Sequence, residues 1–398
     1  MNASQRARRR ERRRSAREQT RREALAPALD FDRIFSFSSL MRSSKICRRG
    51  VMWKGSVQSF VLTGVLSVAR LHRELAEGIY RKSPPIRFTL NERGTTREIS
   101  GVCFRDRVVQ RTLCDNSMIP VLCRGIISDN SASLEGRGMS FAEDRFIRHM
   151  SEAFRRWGED AAVVQIDIKS FFGSIDSRAC YEGERQEYMR ASSPENAHDA
   201  ERICAVVEEN VTEEDGVGLG NQTSQTSAIW YPSRVDHFVR EVLRCGLSGR
   251  YMDDAYIFCE SVERAEEVLE AVRAEFAKIG LRLHPRKTKI RKITEPITFL
   301  KNVHRIDSNG MVRTSMAPKS ISHTVSHIKS VYGLVERGEV DEQGYLQTVS
   351  SCYGNVVKRG SAKQRRRFEA AIPEQYHWKL REIRIRQCNV PKAKRKIR

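Results

Sequence analysis

The chain has 398 residues, 39% of them hydrophobic, and a formal net charge of +21. That length and composition suit a folded enzyme or binding protein of two or three subdomains and exclude wholesale disorder. The charge is lodged at the ends: residues 1–25 hold ten Arg against three Glu, and residues 361–398 hold thirteen Lys and Arg against three Glu. Such ends read as polyanion-binding arms, with solvated solubility tails as the plainer alternative.

In chain order, residues 1–27 form a basic arm, flexible or transiently helical, that closes at Pro27. The best apolar stretch, SFVLTGVLSVA (59–69), is about half the ~20 residues that a membrane span needs. It runs into RLHRELAEGIY with helical spacing, so 55–80 is expected as one core-facing helix, and no membrane partner is expected. No secretory signal is read, because the arginine-rich start has no apolar run behind it. IRFTLNERGTTREISGV (86–102) gives β runs about a turn at NERG, and helical patterns follow at 106–124 and 140–157. AAVVQIDIKSFFGSID (161–176) opens as a buried strand and breaks at Gly173, ahead of a polar, mostly helical insertion over 177–210. A glycine-rich loop then enters a long helix (216–243), and GRYMDDAYIFCES (249–261) reads as strand, tight turn, strand. A helix at 262–279, extended segments at 281–290 and 297–306, and a basic helical region from 316 complete the chain. Ten cysteines without a CxxC pair or a Cys/His cluster favour free thiols in a reducing cytoplasm. The nine histidines show no HExxH or paired-ligand spacing.

The chemistry concentrates in acids. Asp167 and Asp253 stand 86 residues apart, each at the end of an apolar β-type run, and Asp254 adjoins the second. Adjacent carboxylates in apolar surroundings repel unless a cation or proton neutralises them. Antiparallel strands can bring such strand ends together, and two Mg²⁺ ions about 3.5–4 Å apart need bridging carboxylates to carry a phosphoryl transfer. An Asp-Asp pair alone is an ordinary hairpin turn. The second strand-end acid and the intervening glycine-rich loop set this one apart.

YMDD together with QIDIKSFFGSID resembles the palm of a reverse transcriptase. The order of the other motifs agrees with that resemblance. REISGVCFRDRVVQRTL (97–113) is similar to the fingers segment, and GLGNQTSQ (218–225) to the loop-to-helix motif that touches nucleotide and template. LHPRKTKI resembles the lysine-bearing motif, ITFLKNV the primer-grip hairpin, and SSCYGNVVKRGS (350–361) the thumb of prokaryotic members. The likeness spans roughly residues 55–370. The GNxTSQ form, as opposed to QGxxxSP, points to the bacterial branch of diversity-generating retroelements and abortive-infection or defence-associated enzymes. Leu219 stands where that branch often has Gln.

The resemblance implies an α+β right hand: a basic arm (1–27), N-terminal helices and fingers (28–160), a palm with an antiparallel sheet (161–306), a short helical thumb (307–370) and a basic tail (371–398). It implies two Mg²⁺ ions, with Mn²⁺ as the alternative, on Asp167, Ile168, Asp253 and Asp254. Phe172 falls at the steric gate that excludes a 2′-hydroxyl, with Phe171 as its core neighbour. Arg93 and Arg97 correspond to the cations that clamp the triphosphate. Lys287 corresponds to the lysine that protonates the leaving pyrophosphate, although Arg286 and Lys289 blur that choice. Gly220, Asn221 and Gln225 belong to the nucleotide loop, and Ser224 is either part of it or a helix N-cap. Lys358, Arg359, Lys363, Arg365, Arg366 and Arg367 would track a nucleic-acid backbone, whereas Tyr353 reads as packing first.

The expected activity is RNA-directed DNA synthesis from dNTPs on a primer 3′-hydroxyl. The expected template is a dedicated non-coding RNA in a bacterial antiviral defence system, with a second subunit or a further copy as a candidate partner. Only about 30 residues follow the thumb, too few for a nuclease domain. Mutagenic copying in a diversity-generating cassette is the alternative setting. Protein-primed or template-independent synthesis, with Tyr80, Tyr181, Tyr353 or Tyr376 as the starting hydroxyl, is the mechanistic alternative, and an inactive RNA-binding scaffold is the non-enzymatic one.

Overall fold

The computed structural model describes residues 3–92, 95–214 and 216–388. Nine strands lie within them: β1 Ile86–Glu92, β2 Thr95–Gly101, β3 Ala162–Asp167, β4 Ser248–Tyr251, β5 Asp254–Cys259, β6 Lys289–Lys292, β7 Ile297–Phe299, β8 Asn302–Ile306 and β9 Val312–Met316. β1 and β2 form an antiparallel hairpin, β4-β5-β3-β6 a four-stranded sheet in that order, and β7-β8-β9 a three-stranded sheet. With the helices around them this is an α+β architecture. The chain divides into two compact units: Met1–Ala142, Ile166–Ala255 and Glu267–Thr288 form the first, and Glu143–Gln165, Tyr256–Glu266 and Lys289–Arg398 the second.

In the first unit the basic arm is a helix from Ala3 to Leu25. The single helix expected over 55–80 is two, Gly55–Leu62 and Gly64–Ala76, because Thr63 leaves helical geometry at φ −101°, ψ 24°. The segment read as a polar insertion forms helices Ser177–Ala191 and Ala197–Val211, the first capped by Asp176 Oδ1 accepting from Ala179 N at 3.0 Å. These segments are helical as expected, but they bury Cys180, Tyr188, Ile203, Cys204 and Val207, so the insertion read as polar also builds core. The long helix expected after the glycine loop breaks at Pro232 into Gln222–Trp230 and Ser233–His237, as a residue without an N–H and with a locked φ requires.

The run AAVVQID forms β3, whose residues Ala162 to Val164 are fully buried. It ends at Asp167, earlier than the break expected at Gly173, which lies inside the short helix Phe171–Ser174. In the second unit Ala162–Gln165 pair antiparallel with Lys292–Lys289. There Phe146 packs against Tyr256, Phe258, Phe299 and His304 with ring centroids 4.8–5.5 Å apart. Burial holds the His304 pKa down at about 4, so this imidazole is a neutral core group.

β9 extends the expected 297–306 hairpin to three strands; its sequence VRTSM carries too little apolar alternation to announce a strand. Helices Pro318–Glu336, Glu342–Arg359, Ala362–Glu369 and His377–Cys388 follow. They close a core of Ile321, Val325, Ile328, Tyr345, Val349, Tyr353, Val356 and Phe368. Tyr376, Leu380 and Ile383 join this core, so a 3₁₀ turn (Glu374–Tyr376) and the helix His377–Cys388 pack where tail was expected, and the rest of the expected tail lies outside the described residues. Among the described residues no helix is long and apolar enough to cross a membrane, and nine cysteines carry free thiols.

Candidate active site

The last residues of β3 are pinned on two sides, all within the first unit. On one side Ile168 N donates to Asp253 O at 3.2 Å, which sets the end of β3 beside the Met252–Asp253 turn that joins β4 to β5. On the other, His284 N donates to Asp167 O at 2.7 Å, Lys169 N to Arg282 O at 2.9 Å, and Ile168 bridges Leu283. Thr288 Oγ1 lies 3.4 Å from both Asp167 N and Asp167 O. The two strand ends that the sequence separates by 86 residues therefore share one main-chain hydrogen bond.

The turn itself is held away from relaxed geometry. Met252 has φ +55° and Ser170, three residues beyond Asp167, has φ +49°. A left-handed backbone is costly for a side chain other than glycine and persists only where the surroundings impose it.

Lys287 Nζ donates to both oxygens of Asp167, at 3.0 and 3.2 Å, with the lysine side chain 60% and the aspartate 13% exposed. Lys287 is thus seated on Asp167. An ammonium astride the carboxylate marks where a cation is favoured, and Asp167, Asp253 and Asp254 supply hard oxygen donors of the kind Mg²⁺ takes. Among the described residues no three His, Cys, Asp or Glu side chains already close around one point. The residues fit the ions by donor type and by the meeting of their backbones. Ile168, expected as a fourth ligand, has a side chain 2% exposed and could serve only through its carbonyl.

The glycine-rich loop leans on this centre. Val217 N donates to Phe172 O at 2.9 Å, and a Cβ on Gly216 (φ +71°) would stand 2.4 Å from that oxygen, so only glycine permits the approach. Gly220 (φ +120°) lies against β2, where a Cβ would meet Ile99 Cγ2 at 3.2 Å and Ser100 O at 3.3 Å, and Ser100 N donates to Leu219 O at 3.0 Å. Phe171 is buried and Phe172 half-buried, their rings 5.4 Å apart at 68°.

Asn221, not Ser224, occupies the N-cap of Gln222–Trp230; Ser224 lies within that helix and is fully buried. Asn221 is 2% exposed, and its Nδ2 donates to Glu213 Oε1 at 3.2 Å. Glu213, which the sequence reading missed, lies under the loop with Lys82 Nζ 4.0 Å away, and burial raises its pKa. Nothing in its surroundings along the chain marks it. Gln225 Oε1 accepts from Ser133 Oγ at 3.4 Å.

Other expected residues fall elsewhere. Arg93 and the side chain of Arg97 lie outside the described residues, and the Arg97 backbone pairs with Leu90 in the hairpin. In the second unit Arg359 Nε donates to Glu143 Oε2 at 2.7 Å, the two side chains 11% and 7% exposed. That guanidinium is largely enclosed, and its Nη1 also donates to Asn355 Oδ1 at 2.7 Å. Lys363 and Arg366 are exposed, Lys358, Arg365 and Arg367 line the same helical region, and Arg367 Nη2 donates to Ser322 Oγ at 3.1 Å. Tyr80, Tyr181, Tyr353 and Tyr376 are 3%, 6%, 0% and 5% exposed. The Tyr80 hydroxyl donates to Asp106 Oδ1 at 3.1 Å, and that of Tyr376 to Glu342 Oε1 at 2.9 Å. The Tyr353 hydroxyl bonds Glu369 and accepts from Arg384 Nε at 2.6 Å, so Tyr353 packs as expected.

A sheet with acids at two meeting strand ends, set among helices, is the α+β arrangement of a right-hand polymerase. Residues 81–301, more than half the chain, match the family described as reverse transcriptase (RNA-dependent DNA polymerase), and the chain belongs to that family. Among solved structures it is similar to telomerase from Candida albicans, in complex with a TWJ fragment of telomeric RNA, at 12% identity and a TM-score of 0.45. That match covers 77% of this chain and 60% of the telomerase chain, so this chain spans less than two thirds of that length. No curated protein matches.

Proposed function

We propose that the protein copies RNA into DNA, joining dNTPs to a primer 3′-hydroxyl at the meeting point of β3 and the Met252–Asp253 turn. The observation that carries this reading is the hydrogen bond from Ile168 N to Asp253 O, with Lys287 seated on Asp167 beside it. Asp167, Asp253 and Asp254 would hold the divalent ions, with the Ile168 carbonyl beside them. Magnesium, when bound there, neutralises the carboxylates and polarises the phosphoryl oxygens.

The chain's own groups would do the rest. Lys287 leaves Asp167 when a cation takes its place and holds its proton for the departing pyrophosphate. Phe172, its backbone fixed by Val217, stands as a wall against a 2′-hydroxyl. Gly220, Asn221 and Gln225 shape the floor of the base pair, Arg93 and Arg97 clamp the triphosphate, and Lys358, Lys363 and Arg365 to Arg367 hold the duplex backbone. Arg359 is left out of that set by its ion pair.

The GNQTSQ form of the loop supports placement in the bacterial branch, and we read the template as a dedicated non-coding RNA in antiviral defence. The four buried tyrosine hydroxyls give protein priming from those residues no support. Extension of a labelled primer on RNA, with and without Mg²⁺, tests the activity. The expected result is Mg²⁺-dependent, template-directed DNA that protease treatment leaves unshifted. DNA that stays protein-linked, or no product on any template, overturns it. Sequencing the nucleic acid that co-purifies tests the template.

A further inference from the structure

Arg250, the residue that opens the stretch RYMDD, has no part in the chemistry described so far. It leads the fully buried side chains of the described residues by size and is 1% exposed. Its Nε lies 2.9 and 3.0 Å from the two carboxylate oxygens of Asp236, and its Nη2 donates to Asp236 Oδ2 at 2.7 Å. Nη2 also donates to Ile229 O at 2.8 Å, and Nη1 to Met252 O at 3.3 Å. One planar fork thus ties three things together. Asp236 holds the charge, Ile229 is the penultimate residue of the helix that begins at the nucleotide loop, and Met252 is the strained residue before Asp253.

A buried ion pair adds little net stability over apolar residues of the same volume. The contact with Met252 O is of another kind, because it fixes the peptide that carries Asp253 into the turn while φ of Met252 sits at +55°. The backbone of Arg250 is held as well: its N donates to Asp129 O at 3.1 Å, and Ser131 N donates to its carbonyl at 2.9 Å. Nearby, Met252 and Tyr251 pack on Ile126, Ala132 and Ile229, and Asn130 Nδ2 also donates to Ile229 O at 3.3 Å. We infer that Arg250, charge-balanced by Asp236, is a positioning residue that holds the Met252–Asp253 peptide in place and so presents Asp253 to a divalent cation. The inference rests on the reading of Asp253 as an ion ligand.

The test is Mn²⁺ binding to the full chain, followed by electron paramagnetic resonance, beside primer extension, RNA filter binding and thermal melting. Arg250→Lys keeps the charge opposite Asp236 and loses the fork. Arg250→Met combined with Asp236→Leu removes charge and fork together while keeping the site filled. Groups that orient ion ligands typically alter affinity or rate by about 10–100-fold. Both variants are therefore expected to bind Mn²⁺ about tenfold more weakly and to extend at least about tenfold more slowly, with RNA affinity within about twofold of wild type. Asp236→Glu, which keeps a carboxylate for the fork, is expected to retain most of both.

A double variant that melts like wild type and binds Mn²⁺ with wild-type affinity reduces Arg250 to a core ion pair and overturns the inference. Should the double variant not fold, Arg250→Lys decides in the same way. Wild-type protein that binds no Mn²⁺ overturns the functional reading itself, and the positioning role with it.

Discussion

The carboxylate turn and the C-terminal helices obey opposite rules. From Pro318 onward the chain does what local physics favours. Asp341 caps its helix by accepting from Gly344 N at 2.8 Å, Ser361 and Gln364 form a reciprocal capping box, and the apolar faces close a single core. Around Asp253 the same chain keeps non-glycine residues at positive φ, sets acids side by side and buries an arginine fork beneath them. Local rules broken together in one small place and kept along the C-terminal helices are the mark of a site held for chemistry, at the expense of stability.

Substitutions can break or sharpen that contrast, and the largest effect belongs to the turn. Asp253→Asn is expected to lower primer extension at least about 1,000-fold. The variant should still melt cooperatively as a folded chain, because the loss falls on ion binding. A matched loss of fold and activity would erase the distinction between the regions.

Glu143→Gln, in the second unit, should do the reverse. It removes the carboxylate charge that Arg359 Nε meets at 2.7 Å, so urea unfolding should show a loss of about 3 kcal/mol. Activity per folded molecule should stay within about threefold of wild type, because the pair holds none of the acids read as ion ligands.

Lys287→Met comes next, with a rate loss of about 100-fold if the lysine is a proton donor. Because its ammonium also covers Asp167, the Mg²⁺ concentration for half-maximal rate should fall. A rise in that concentration would mean that the lysine aids ion binding.

Smaller effects concern the core. Burial raises the Glu184 pKa to about 8 from the ordinary 4.5. The folded state therefore keeps a proton that the unfolded chain releases above 4.5. Stability linked to this group is complete below that value and lost as pH rises toward 8. Glu184→Gln should abolish this dependence, so that the variant melts above wild type at pH 8 and the gap narrows at pH 5. Ser361→Ala removes one cap and should cost about 1 kcal/mol, with no change in activity.

How far this could be read in advance differed by region for physical reasons. Strand-end acids after apolar runs are short-range signals, so Asp167 and Asp253 stood out, and so did the hairpin at 297–306. Phe171 as core and Tyr353 as packing were read ahead of the structure, and both are buried. β9 was not, because VRTSM gains its place from pairing with Asn302–Ile306 and not from its own pattern. Thr63 and Pro232 interrupt helices whose apolar spacing runs on across the break. The contact of Lys287 with Asp167, the ion pair of Arg359 with Glu143, and Glu213 beneath the loop all depend on partners distant in sequence or unmarked along it. Arg250 was in plain view within RYMDD, yet its charge alone could not say whether it faced solvent or the floor of the turn.

The central claim is that three acids from two strand ends hold divalent ions for nucleotidyl transfer. Anomalous diffraction from crystals grown with Mn²⁺, RNA template, primer and a non-hydrolysable dNTP analogue measures this directly. The expected map has manganese peaks at ordinary metal–oxygen distances of roughly 2.0–2.2 Å from the carboxylates of Asp167 and Asp253. Peaks placed elsewhere, in a complex whose crystals still extend the primer when given dNTP, would contradict it.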